Sequence, residues 1–151
     1  MAEEDPLQAV LAAAVRLLAR REHSRLELAA KLARRGHPDG LIGQALDRLE
    51  DDGSLSDARF AEVYARGRVE RGYGPRRIRQ ELRQRGVPDA IADAALAALD
   101  VDWRARARAV HRKRFGDAAS GDWKARARQL RYLQDRGFDP DFLRDFPDDA
   151  E

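Results

Sequence analysis

ELRQRGVPDAIADAALAAL, residues Glu81 to Leu99, decides the fold. Leu82 and Arg85 lead into Gly86, and glycine is the residue that enters the left-handed conformation closing a helix. Pro88 and Asp89 follow at once. Proline suits the opening of a helix because it lacks a donor that the first turn leaves idle, and an acid suits the positive helix end. Beyond them Ile91, Leu96 and Leu99 return at helical spacing. One helix therefore ends at Arg-Gly and a second begins two residues later.

The same pattern occurs twice more. KLARRGHPDGLIGQALDRL runs from Lys31 to Leu49, and YLQDRGFDPDFLRDF from Tyr132 to Phe146. Gly36, Gly86 and Gly137 stand 50 and 51 residues apart, each with a leucine four positions before it: Leu32, Leu82 and Leu133. Leu41, Ile91 and Phe142 stand five positions after. The third copy carries one extra residue, Asp139, before its proline and ends early. Repeats of this period, each a small supersecondary unit, stack neighbour on neighbour, and terminal units depart from the pattern.

Upstream of each pair lies one more helix. Residues 7–22 place Leu7, Val10, Leu11, Ala14, Leu17 and Leu18 on one face. Ser24 with Glu27 three residues on predicts a capping box. Ser56 or Asp57 caps a helix with Phe60, Val63, Tyr64 and Gly67 that ends near Gly72. Gly74 and Pro75 then open the next, which turns Ile78 and Leu82 to the core. Asp102 and Asp122 cap helices carrying Trp103, Ala107 and Val110, and Trp123, Ala127, Leu130 and Leu133. The expected fold is all-α: three tandem three-helix repeats over 1–54, 55–101 and 102–151, nine helices in an elongated array, straight or curved. Runs of Val, Ile and Thr that would favour strands are absent.

Composition agrees. Aromatics are 7% of the 151 residues and 37% are charged, so apolar burial per residue is thin. With no cysteine, thiol catalysis, zinc-thiolate sites and disulfides are excluded. The acidic opening MAEEDPLQAV lacks the charge of a signal peptide, and no apolar run approaches the roughly 20 residues of a membrane span. A soluble cytoplasmic protein is expected. The formal net charge of +2 conceals alternating blocks: −3 over 1–58, +6 over 59–85, −4 over 86–102, +8 over 103–136 and −5 over 137–151. Segregation of this kind suggests a polyanionic or acidic partner.

SDARFAEVYARGRVERGYGPRRIRQELRQRGV, Ser56 to Val87, resembles the signature of the RecX family through Asp57, Arg59, Phe60, Tyr64, Arg68, Gly72, Gly74, Pro75, Arg77, Ile78, Glu81, Leu82 and Gly86. VRLLARREHSRLELAAKLARRG, Val15 to Gly36, is similar to the family at Leu17, Arg20, Ser24, Glu27, Leu28, Leu32 and Gly36. The resemblance covers nearly the whole chain, and the third repeat carries it least. It implies a protein without catalytic residues or cofactors that binds the RecA nucleoprotein filament. Such proteins inhibit its ATP hydrolysis, strand exchange and coprotease activity, and some contact DNA directly. It implies Phe60, Tyr64, Gly72, Gly74, Pro75, Ile78, Leu82 and Gly86 as structural signature residues. A general single- or double-stranded nucleic-acid-binding repeat protein is the alternative, and a monomer is expected in either case.

The residues nominate their own contact surfaces. Arg76, Arg79 and Arg83 follow at i, i+3 and i+7 with no acid at matching spacing in their helix, whereas Arg77 pairs with Glu81 at i+4. An uncompensated arginine stripe suits phosphate or carboxylate. Glu62–Arg66 and Arg66–Glu70 make Arg66 structural, and Arg68 and Arg71 less compensated. Arg104, Arg108 and Arg112 form a face on one helix of the third repeat, and Lys124, Arg128 and Arg131 on the next. The interleaved Trp103, Phe115, Trp123 and Tyr132 are assigned to the core. Walker, HExxH and EF-hand motifs are missing. His23, His37 and His111 are too scattered for a metal site, and the acid clusters Glu50-Asp51-Asp52 and Asp145/Asp148/Asp149 read as a linker and a tail.

Overall fold

A computed structural model describes residues 5–116 and 122–143, excluding the side chain of Phe142. The Phe142 side chain, Phe146 and the Asp145/Asp148/Asp149 cluster thus lie outside the described residues. The described residues form nine helices and no strand: α1 Pro6–Arg20, α2 Arg25–Arg34, α3 Asp39–Asp51, α4 Asp57–Glu70, α5 Pro75–Gln84, α6 Asp89–Ala98, α7 Trp103–Phe115, α8 Trp123–Asp135 and the single turn α9 Pro140–Leu143.

The boundaries have local causes. Ser24 accepts from the Glu27 N–H while the Glu27 carboxylate accepts from the Ser24 N–H, which is the expected capping box. Asp5, Ser56, Asp102 and Asp122 cap α1, α4, α7 and α8 through side-chain oxygens. At the far ends, Gly36, Gly86 and Gly137 take φ of 90°, 80° and 102°. The N–H of each following residue returns to the leucine carbonyl at 3.0–3.2 Å: His37 to Leu32, Val87 to Leu82, Phe138 to Leu133. This is the Schellman closure. Gly72 ends α4 the same way. Pro38 and Pro88 sit one position earlier than a first-turn proline, as extended residues before α3 and α6.

Each triplet encloses its own core. Val10, Leu17, Leu28, Leu32, Ile42, Leu46 and Leu49 fill the first, joined by Leu55. Phe60, Ala61, Ala65, Val69, Ile78, Leu82 and Val87 fill the second. Val63 is half exposed, so the inward face of α4 runs through Phe60, Ala61, Ala65 and Val69, not through Val63 and Gly67. Among the described residues the third core buries only Ala107, Leu133, Phe138 and Leu143, and Trp103 packs against both second and third. Trp123, in contrast, is 73% exposed and does not join a core.

The modules meet through one recurring joint. The start of α2 rests on the closing turn of α5, and the start of α5 rests on the closing turn of α8. Ser24 Oγ donates to the Arg85 carbonyl at 2.7 Å. The Gly74 and Arg76 N–H groups donate to the Arg136 and Gly137 carbonyls at 2.7 and 3.0 Å. Helix ends leave N–H and C=O groups without intrahelical partners, and this joint lets one helix end satisfy another. The middle helices thereby form a head-to-tail column that orients every module relative to the next.

Candidate functional site

α5 stands at the centre of the column with Ile78 and Leu82 wholly buried. Its basic stripe is more occupied than helical spacing predicts. Arg79 meets Asp93 at 2.7 Å and Asp89 at 3.6 Å, and Arg83 meets Asp89 at 2.7 Å. Both acids belong to α6, which folds back across α5 within the same module. The bond from Arg83 holds the Asp89 carboxyl below its ordinary range. Of the three stripe residues, Arg76 alone is exposed with no ion pair to the described residues.

Arg68 is corrected more strongly. Its guanidinium forks onto Glu81 with two bonds of 2.9 Å, and Tyr64 and Arg77 add bonds of 3.0 and 3.2 Å to the same carboxylate. Burial pushes the Glu81 carboxyl up, but the bonds from Arg68, Arg77 and Tyr64 outweigh it and hold the group below its ordinary value. The predicted Arg77–Glu81 pair forms, yet Arg68 is an internal tie, unavailable to a partner. Glu62–Arg66 and Arg66–Glu70 do not form; Glu70 lies instead 3.9 Å from Arg106 of α7.

On the third module, Lys124, Arg128 and Arg131 line the exposed face of α8 without ion pairs to the described residues. Arg104, Arg108 and Arg112 run along α7 and each is engaged in a contact, so they are not free cations. Lys124 sits over the exposed Trp123 ring at 5.7 Å. Buried His23 and His111 are satisfied within the fold, His23 by Arg21 and Lys31 and His111 by Gln129. Among the described residues no cluster of His, Asp and Glu is placed to hold a metal, and no helix is long and apolar enough to cross a membrane.

Two concavities flank the joint between the second and third modules. One, of about 630 Å³, runs between α5 and the end of α8 past Arg76, Arg79, Arg83, Gln134 and Phe138. The other, of about 410 Å³, opens between the end of α4 and α7, with Arg71, Arg106, Lys113, Arg114 and Arg136 around Val69 and Val110. Spacing within single helices nominated Arg71 alone of this second set. Arg136 was legible only as a residue before a closing glycine; its guanidinium donates to the Gly72 and Arg71 carbonyls and lies over Tyr73, 4.2 Å from the ring centroid.

Fold and surface together define an all-α array of tandem three-helix modules with cationic flanks. Family models described as RecX, first, second and third three-helix domain, match residues 11–49, 56–96 and 100–145 in that order. Regulatory protein RecX of Halorhodospira halophila is 55% identical over 137 residues, covering 91% of this chain and 85% of that one. Its counterpart in Pseudomonas entomophila is 47% identical over 135 residues, 89% and 87% of the two chains. The crystal structure of RecX from Lactobacillus salivarius superposes with a TM-score of 0.77 at 23% identity over 92% of each chain. A second crystal structure, of regulatory protein RecX, gives 0.82 at 21% identity over 96% of this chain and 74% of that one. Those two speak for the fold. The chain belongs to the RecX family, whose curated relatives are named regulatory proteins.

Proposed function

We propose that this chain binds the RecA nucleoprotein filament and restrains it, lowering ATP hydrolysis, strand exchange and coprotease activity, and so damping recombination and the SOS response. It acts as a cytoplasmic monomer whose three modules, 1–54, 55–101 and 102–151, dock along successive filament subunits. One observation carries the reading: a family match along all three modules coincides with exposed cations on the second and third that no described acid pairs. Arg71, Arg76, Lys124, Arg128 and Arg131 are the contact residues that survive the internal pairing, and Arg104, Arg108 and Arg112 of α7 complete the proposed set. Modest contacts on linked modules add through effective concentration, so no single strong site is required.

The test is RecA ATPase on single-stranded DNA at substoichiometric protein. Wild type slows hydrolysis, while Arg76→Glu/Arg128→Glu/Arg131→Glu loses at least tenfold in apparent potency at unchanged helicity. Absence of inhibition by wild type at tenfold excess refutes the proposal.

The exposed Trp123 beside Lys124 favours a second reading, direct binding of single strands by stacking and charge. That reading requires affinity falling with salt at a slope near −0.7 per neutralised phosphate. It requires no binding to filaments pre-formed and locked with a non-hydrolysable nucleotide.

A further inference from the structure

We propose that the concavity between α4 and α7 is a docking site for an acidic protein segment carrying one apolar side chain. The site is built across a module joint and is distinct from the cations of α8. Its floor is apolar: Val69, Ala109 and Val110, with Gly72 admitting close approach, since a Cβ there would stand 3.1 Å from Val110 Cγ2. Its rim is cationic: Arg71, Arg106, Lys113 and Arg114. The acid on the rim, Glu70, is already opposite Arg106 at 3.9 Å. Among the described residues Arg71 and Lys113 have no ion pair. Arg136 is committed to the Gly72 and Arg71 carbonyls and shapes the wall without offering its charge.

Aromatic coverage decides between carboxylate and nucleic acid. A nucleotide chain needs a free ring for its bases to stack on. The ring lining this site, Tyr132, makes a T-shaped contact with Phe115 at 5.4 Å, accepts from Arg136 at its hydroxyl at 3.3 Å and has Arg114 5.5 Å from its centroid. Three side chains of the fold already engage that ring, and the rest of the floor is aliphatic. An aliphatic or aromatic side chain on the valine floor, with carboxylates on either side reaching Arg71 and Lys113, matches both the apolar and the charged parts. About 410 Å³ accommodates one such side chain and its flanking backbone. The inference holds whether or not the filament reading does, because it concerns ligand chemistry at one site.

The probe is a fluorescein-labelled peptide, Asp-Glu-Asp-Phe-Asp-Glu-Asp, followed by anisotropy with the full chain at low salt. Saturable binding is expected. Arg71→Glu/Lys113→Glu should weaken it at least tenfold with far-UV circular dichroism unchanged, and so should serine in place of the probe's phenylalanine. Saturation absent up to about 1 mM peptide, or insensitive to either change, overturns the proposal. So does displacement of the probe by a dT oligomer at tenfold lower concentration than by unlabelled peptide, which makes the site one for nucleic acid. An affinity gain of tenfold or more in the full-length Asp145→Asn/Asp148→Asn/Asp149→Asn variant also overturns it, since the occupant would then be the chain's own acidic end.

Discussion

Glu81 gathers Arg68, Arg77 and Tyr64 around one carboxylate that is only 15% exposed. Removing one member of a buried pair leaves the other charge without compensation, a larger loss than any exposed pair contributes. Glu81→Gln is therefore expected to lower unfolding free energy by about 2 kcal/mol in urea titrations. Arg79→Ala, which removes only exposed pairs, should shift the urea midpoint much less. His23 supplies the pH dependence. Lys31 Nζ can only donate, so Nε2 accepts at 2.9 Å and Nδ1–H donates to the Arg21 carbonyl at 3.0 Å, which makes the ring neutral. Burial foremost, with Arg21 and Lys31 close by, lowers its pKa from the ordinary 6.5. A lowered histidine means that the unfolded chain binds the proton first as pH falls. Its contribution is complete above pH 6.5 and fades below it, until the folded ring also protonates. His23→Gln should flatten the slope of stability between about pH 7 and 5, measured by urea midpoints, and an unchanged slope would exclude the assignment.

The closing turns are where helices become modules. The three repeat glycines, Gly36, Gly86 and Gly137, have positive φ, so alanine at any of them strains the backbone by about 1 kcal/mol. Only two meet a neighbour. A Cβ on Gly86 would stand 2.6 Å from Leu26 Cβ, and one on Gly137 would stand 2.5 Å from Arg77 N, whereas Gly36 faces open space. Gly36→Ala should thus lower Tm least, with Gly86→Ala and Gly137→Ala lowering it by several degrees more because a joint must open as well. Gly74→Ala isolates the joint: Gly74 has an ordinary φ of −92°, yet its Cβ would lie 2.5 Å from the Gly137 carbonyl. Equal effects at Gly36 and Gly137 in calorimetry would mean that the joint contributes nothing to stability. The helix ends themselves were legible, since caps, prolines and closing glycines act within about four residues of chain. The joint was not, because Ser24–Arg85 and Gly74–Arg136 unite residues about sixty apart.

Across the molecule, separate cores linked by polar joints predict stepwise opening, as in other repeat arrays. The third core is the thinnest among the described residues. Amides of α7 and α8 should lose hydrogen-exchange protection before those of α1 to α6, and uniform exchange across all modules would argue for a single cooperative unit. The number of modules, their helices and the leucines and Ile78 that face inward were readable from residue order. Hydrogen-bonded caps and apolar periodicity are short-range devices, and three copies reinforce one another. Which arginines remain available was decided by tertiary structure alone. Asp89 and Asp93 reach Arg79 and Arg83 only once α6 lies across α5, Glu81 claims Arg68 across the α4–α5 contact, and Trp123 is left outside every core. Charge compensation acts through space, and neighbours in space are set by how helices pack.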